Sequence, residues 1–115
     1  MNPKRHETIE KLQRGETIPE YREGGNSMVP LIHSREPVTL SPVDHSKLEK
    51  GDMVLVKVRG RYYTHKVLAL RGDQFQIGNN RGGVNGWTPS DHIYGIVTHV
   101  SGKPVGGASE KVRVP

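Results

Sequence analysis

Residues 25 to 30 read Gly-Asn-Ser-Met-Val-Pro and set Ser27 between a glycine and a proline. Glycine admits backbone angles closed to other residues, and proline fixes its own, so a loop here can hold a hydroxyl outward in one geometry. A serine hydroxyl is a weak nucleophile until a neighbouring base takes its proton. The stretch Thr64-His65-Lys66-Val67 offers two bases. His65 carries an imidazole that is largely neutral at physiological pH. Lys66 would serve only if desolvated, with its pKa depressed. The stretch reads as a strand, so these adjacent side chains point to opposite faces and only one can meet Ser27. Strand phase alone does not say which, so His65 and Lys66 stand as alternative bases.

Other chemistries find less support. His33, His45, His92 and His99 lack the spacing of metal ligands. The chain has no cysteine, which excludes a thiol nucleophile, a disulfide framework and a cysteine-ligated zinc. The loop from Gly78 to Gly86 lacks the Lys-Ser/Thr pair and following helix of a phosphate-binding loop, and Trp87 reads as packing for it. The net charge is +5 and the isoelectric point about 9.7, but the basic residues are scattered, with no block of five. Nucleic acid is therefore a lesser expectation for a partner. No cofactor or metal is implied.

The elements that must position Ser27 and His65 follow from composition and pattern. With 115 residues, 14 of them Gly and 8 Pro, and only 32% hydrophobic, the chain suits one small domain of short strands and turns. Residues 5–14 are expected as a helix with Thr8 as cap and Gly15 as stop, followed by a polar connector over 16–25. This leader is too short for a helix-turn-helix domain. Strands are expected at 36–40, 53–58, 62–70, 74–77 and 93–100. The second and third form a hairpin through Arg59-Gly60-Arg61. The expected organisation is an N-terminal helix and connector (1–23), a β domain (24–100) and a mobile tail (101–115). The fold class is all-β, mainly antiparallel, as a small closed or half-closed barrel. Apolar runs fall far short of the roughly 20 residues of a membrane helix, and no secretory leader is visible. A soluble cytoplasmic protein is expected.

Four segments, in order, resemble the signal peptidase I and LexA-type repressor superfamily of serine peptidases. Gly25-Asn26-Ser27-Met28-Val29-Pro30 is similar to its Gly-x-Ser-Met-x-Pro box, and Lys50-Gly51-Asp52-Met53-Val54-Leu55-Val56 to its Gly-Asp-hydrophobic strand. Thr64-His65-Lys66-Val67 resembles the base-bearing segment of the archaeal and endoplasmic-reticulum branch, which uses histidine. Ile77-Gly78-Asn79-Asn80 and Ile93-Tyr94-Gly95-Ile96-Val97 resemble that branch's Gly-Asp-Asn loop and closing strand. The resemblance spans about residues 24–100. It implies a serine endopeptidase with Ser27 as nucleophile, His65 as base and Asn79 as the residue that orients the base, where the branch has aspartate. Asp91 stands near a second acidic position of the family. Asn26 would border the oxyanion site and Met28 the substrate, an extended peptide with small side chains beside the scissile bond. A stand-alone, phage-type version is implied, and the other class of function is an inactive peptidase fold that binds protein or nucleic acid.

Overall fold

The computed structural model describes residues 3–114. Helix α1 runs from Pro3 to Gln13, starting earlier than expected because proline is preorganised for a first helical turn. Thr8, the expected cap, is instead buried within the helix. Gly15, at φ 89°, ends it as expected. The Glu16 N–H donates to Lys11 O at 2.9 Å and the Gly15 N–H to Leu12 O at 3.0 Å, which satisfies carbonyls of the last turn. Ile9 and Leu12 bury the inner face against the sheet.

The strands are β1 (Ile18–Tyr21), β2 (Val38–Ser41), β3 (Met53–Val58), β4 (Arg61–Arg71), β5 (Gln74–Gly78), β6 (Val84–Pro89), β7 (Ile93–Val100) and β8 (Lys103–Pro104). They form one eight-stranded sheet in the order β1-β2-β7-β3-β4-β5-β6, with β8 beside β7. Every pairing is antiparallel. The β3–β4 hairpin turns on Arg59 and Gly60, both at positive φ (51° and 80°), the twist that matches flanking strands. Its register sets Val54 opposite His65 and Leu55 opposite Thr64.

Because β3 is apolar at nearly every position, both of its faces are covered. One core gathers Val54, Val56, Val58, Val67, Phe75 and Ile77; the other gathers Leu12, Met28, Leu40, Met53 and Leu55. The sheet curls until β6 approaches β3, where the Thr88 hydroxyl donates to Lys57 O at 2.8 Å. The result is a half-closed barrel; β1 and β6 remain its edges.

Three expectations need correction. The connector contains strand β1, and Pro19 is tolerated there because an edge strand leaves one row of amides unpaired. The loop expected over 78–86 ends early, since Val84 begins β6. That strand carries no alternating pattern because it lies at an edge, with Val84 and Trp87 exposed. The tail is not mobile over its described residues. The Arg113 N–H donates to Pro42 O at 2.8 Å, and Lys111 Nζ reaches both Asp52 carboxylate oxygens at 2.8 Å. The glycine- and charge-rich composition hid these ties, which depend on partners far along the chain.

Gly78 ends β5 where the backbones of two strands converge: a Cβ there would stand 2.5 Å from Gly83 O and collide with Leu68. Gly78→Ala is therefore expected to cost about 1–3 kcal/mol by overpacking. Gly106→Ala, where a Cβ meets nothing within 4 Å, is expected to be silent. Denaturant unfolding followed by circular dichroism checks both.

Candidate active site

Ser27 lies in a tight loop between β1 and β2. Gly25, at φ 112°, turns the chain into it. The Val29 N–H donates to Asn26 O at 3.3 Å and the Ile32 N–H to Met28 O at 3.0 Å. Met28 and Ile32 are buried in the second core and anchor the loop. A third support comes from Asn80. Its N–H donates to Ser27 O at 2.8 Å, and its Nδ2 donates to Val29 O at 3.1 Å. Lys66 Nζ in turn donates to Asn80 Oδ1 at 2.8 Å.

Ser27 and His65 come together. Ser27 Oγ lies 2.9 Å from His65 Nε2, inside the range of a nucleophile–base hydrogen bond. On the other side of the ring, His65 Nδ1 lies 2.7 Å from Asn85 Oδ1. An amide oxygen only accepts, so Nδ1 carries the proton and donates it to Asn85. Nε2 then keeps its lone pair and accepts the Ser27 hydroxyl. The Tyr63 ring stacks on the imidazole at 4.7 Å between centroids, with 25° between planes. The imidazole is thus held at both nitrogens and on its face.

His65 is buried, 6% exposed. Burial pushes its pKa below the ordinary 6.5, while the Asn85 hydrogen bond and the Glu23 charge act against that shift. The dyad opens on a cleft of about 370 Å³ bordered by Gly25, Met28, Tyr62 and Tyr63. Among the described residues, no group of three or more His, Cys, Asp or Glu could hold a metal ion.

The other expected site residues divide. Met28 borders the cleft while also filling the core. The Asn26 side chain is exposed, and its carbonyl closes the turn. Strand alternation sends Lys66 to the face opposite His65, where its Nζ donates to Asn80 and so braces the serine loop. Asn79 does not orient His65. Its Oδ1 accepts from the N–H groups of Arg81 and Gly83, at 2.8 and 2.9 Å, and closes its own turn. An asparagine commonly makes such local bonds, and this one leaves no oxygen directed at the imidazole. Asp91 is exposed on a short 3₁₀ turn and does not border the cleft.

Asn85 and Asn80 were not identified from the sequence. The register shift between Ile77–Gly86 and Gly78–Val84 leaves Asn85 at the irregular step of β6, a displacement that residue types alone do not reveal. Comparisons with family models, curated proteins and solved structures find no match to this chain.

Asn85→Ala is expected to leave the buried Nδ1–H of His65 unpaired, at a cost of about 1–3 kcal/mol. Nitrogen-15 spectra of the imidazole should show a dominant Nδ1–H tautomer in the parent chain and a mixture in Asn85→Ala. Asn79→Ala should keep the parent tautomer; a mixture there instead would show that the orienting role belongs to Asn79.

Proposed function

We propose that this protein is a serine peptidase acting through a Ser27–His65 dyad that Asn85 orients. The observation that carries the reading is the 2.9 Å contact between Ser27 Oγ and His65 Nε2 at the mouth of a cleft, with the tautomer set for base action. His65 Nε2 takes the Ser27 proton as Oγ attacks the carbonyl carbon of a peptide bond. The imidazolium keeps its Nδ1–H on Asn85 and passes the Nε2 proton to the leaving amine as the C–N bond breaks. Water, deprotonated by the same nitrogen, then attacks the acyl-enzyme and releases the second product with Ser27 restored. Backbone N–H groups of the serine loop would receive the developing oxyanion. The resemblance to the signal peptidase and LexA-type superfamily agrees with this assignment of Ser27 and His65. An extended peptide with small side chains at the scissile bond is the substrate class. No helix among the described residues is long and apolar enough to cross a membrane. We place the activity on an extended segment of a protein substrate.

Asn85 favours a second reading, in which the fold binds a protein or a nucleic acid without catalysis. In a Ser-His-Asp triad, exchanging the carboxylate for an amide lowers kcat by about 10⁴ by imposing the wrong tautomer; the Asn85 oxygen keeps the right one here and withholds only the negative charge. Turnover here should accordingly be slow, and covalent labelling is the sharper measurement.

A fluorophosphonate probe should label the parent chain on Ser27, seen by intact mass and peptide mapping. Ser27→Ala should lose the label and His65→Gln should label at least a hundredfold more slowly, in line with general-base contributions of 10²–10⁴. The labelling rate should rise with pH and reach half its plateau below pH 6.5, because burial holds the base neutral to lower pH than usual. Equal labelling of Ser27→Ala would leave only the binding reading.

A further inference from the structure

The cleft that holds the dyad also holds an ion pair. Glu23 follows β1 on the approach to the serine loop, and Arg5 comes from the first turn of α1. Both are largely withdrawn from solvent, with side chains 21% and 22% exposed respectively. The contact between them is loose: Arg5 Nε stands 3.5 Å from Glu23 Oε1, against about 2.7–2.9 Å for a charge-assisted hydrogen bond. That Nε is buried and has no hydrogen-bond partner. The guanidinium instead lies over Tyr62, 5.1 Å from the ring centroid. Glu23 Oε1 accepts the Tyr21 hydroxyl at 2.5 Å, which fixes the carboxylate in the cleft. Burial first, and then this hydrogen bond, raise the Tyr21 pKa and keep the phenol neutral.

Glu23 is the one carboxylate among the described residues bordering this cleft; the other titratable side chains there are Arg5, His33, Tyr62, Tyr63 and His65 itself. His65 therefore meets neutral groups at direct contact (Ser27, Asn85 and the Tyr63 ring) and one anion beyond contact. Charge acts at longer range than a hydrogen bond where protein displaces water. The Glu23 charge favours the protonated form of His65.

We propose that Glu23 is the counter-charge of the dyad, a positioning residue that stabilises the imidazolium formed as Ser27 attacks, and that Arg5 of α1 attenuates it. The charge is placed unlike that of a triad aspartate, since it touches neither ring nitrogen. The inference deepens the peptidase reading and rests on it for its catalytic consequence. The arrangement also couples α1 to the site: any displacement of the first helical turn removes a cation from the cleft and strengthens the base.

The full chain tests this by NMR titration of His65 in the parent, Glu23→Gln, Arg5→Gln and the double variant. Glutamine keeps an acceptor for Tyr21 and removes only charge. Glu23→Gln should lower the His65 pKa by about half to one unit, a threefold to tenfold loss of proton affinity. Arg5→Gln should raise it, and the double variant should fall between Glu23→Gln and the parent, because Arg5 offsets only part of the Glu23 charge. Glu23→Asp should stay near the parent. The plateau rate of fluorophosphonate labelling should follow the same order. An unchanged pKa in Glu23→Gln, or shifts of the same sign in both single variants, overturns the proposal. If Glu23→Gln does not fold, the absence of an upward shift in Arg5→Gln overturns it alone. Loss of all Ser27 labelling in a folded parent chain would end the peptidase reading, while the His65 titration would still decide the source of the charge.

Discussion

The imidazole of His65 is held in one pose by contacts from three elements, and the chemistry of the site depends on that pose. Asn85 on β6 takes the Nδ1 proton, the serine loop meets Nε2, and Tyr63 on β4 covers one ring face. A buried imidazole with free nitrogens could adopt either tautomer, and the one protonated at Nε2 would offer Ser27 a proton instead of a lone pair. The Asn85 amide oxygen removes that ambiguity at the 2.7 Å contact. Strand phase then assigns the neighbouring residue: with His65 turned toward the serine, Lys66 must turn away, and its ammonium braces the loop that carries Ser27.

The sheet has to curl for these contacts to exist. His65 and Asn85 lie on strands separated by β5, so a flat sheet would keep their side chains apart. The twist that brings Thr88 onto Lys57 O carries Asn85 over β4 at the same time. Gly78 permits the close passage of Gly83 at that corner, and the register shift beyond it turns Asn85 inward. Packing on both faces of β3 makes the curvature stiff, because neither face can flatten without opening a core.

Some of this was legible in the sequence, for physical reasons. The hairpin of β3 and β4 announces itself through a Val-rich run, a turn whose glycine takes positive φ, and a second β-rich run. Alternation along β4 then separates His65 from Lys66 without any knowledge of the fold. Ser27 stands out because glycine and proline restrict the loop around it. The elements that escaped were those whose order comes from distant partners. Strand β1 has four residues, one of them proline, and acquires its identity only beside β2. The segment around Lys111 is polar and glycine-rich, yet Asp52 and Glu49 hold it across the barrel. Asn79 looked like the orienting residue because it stands where the resembled Gly-Asp-Asn loop has its aspartate. The amide that reaches the ring is six positions later, and no local pattern encodes that offset.

In the proposed dyad, a neutral orienting residue has a consequence for how the base works. General-base efficiency depends both on the fraction of base that is unprotonated and on its affinity for the proton it takes. Burial already holds His65 below its ordinary pKa, so at neutral pH most of it is unprotonated. Further depression has little left to add to that fraction and lowers the driving force for removing the serine proton. An amide at position 85 therefore secures geometry while leaving the base weak. What strength the base recovers must come from charge that does not compete for Nδ1. A carboxylate in direct contact would supply more, but it would also lie buried against Tyr63 and the serine loop with few donors to solvate it. The fold instead keeps its anion at the more open side of the cleft, where the Tyr21 hydroxyl holds it by a hydrogen bond.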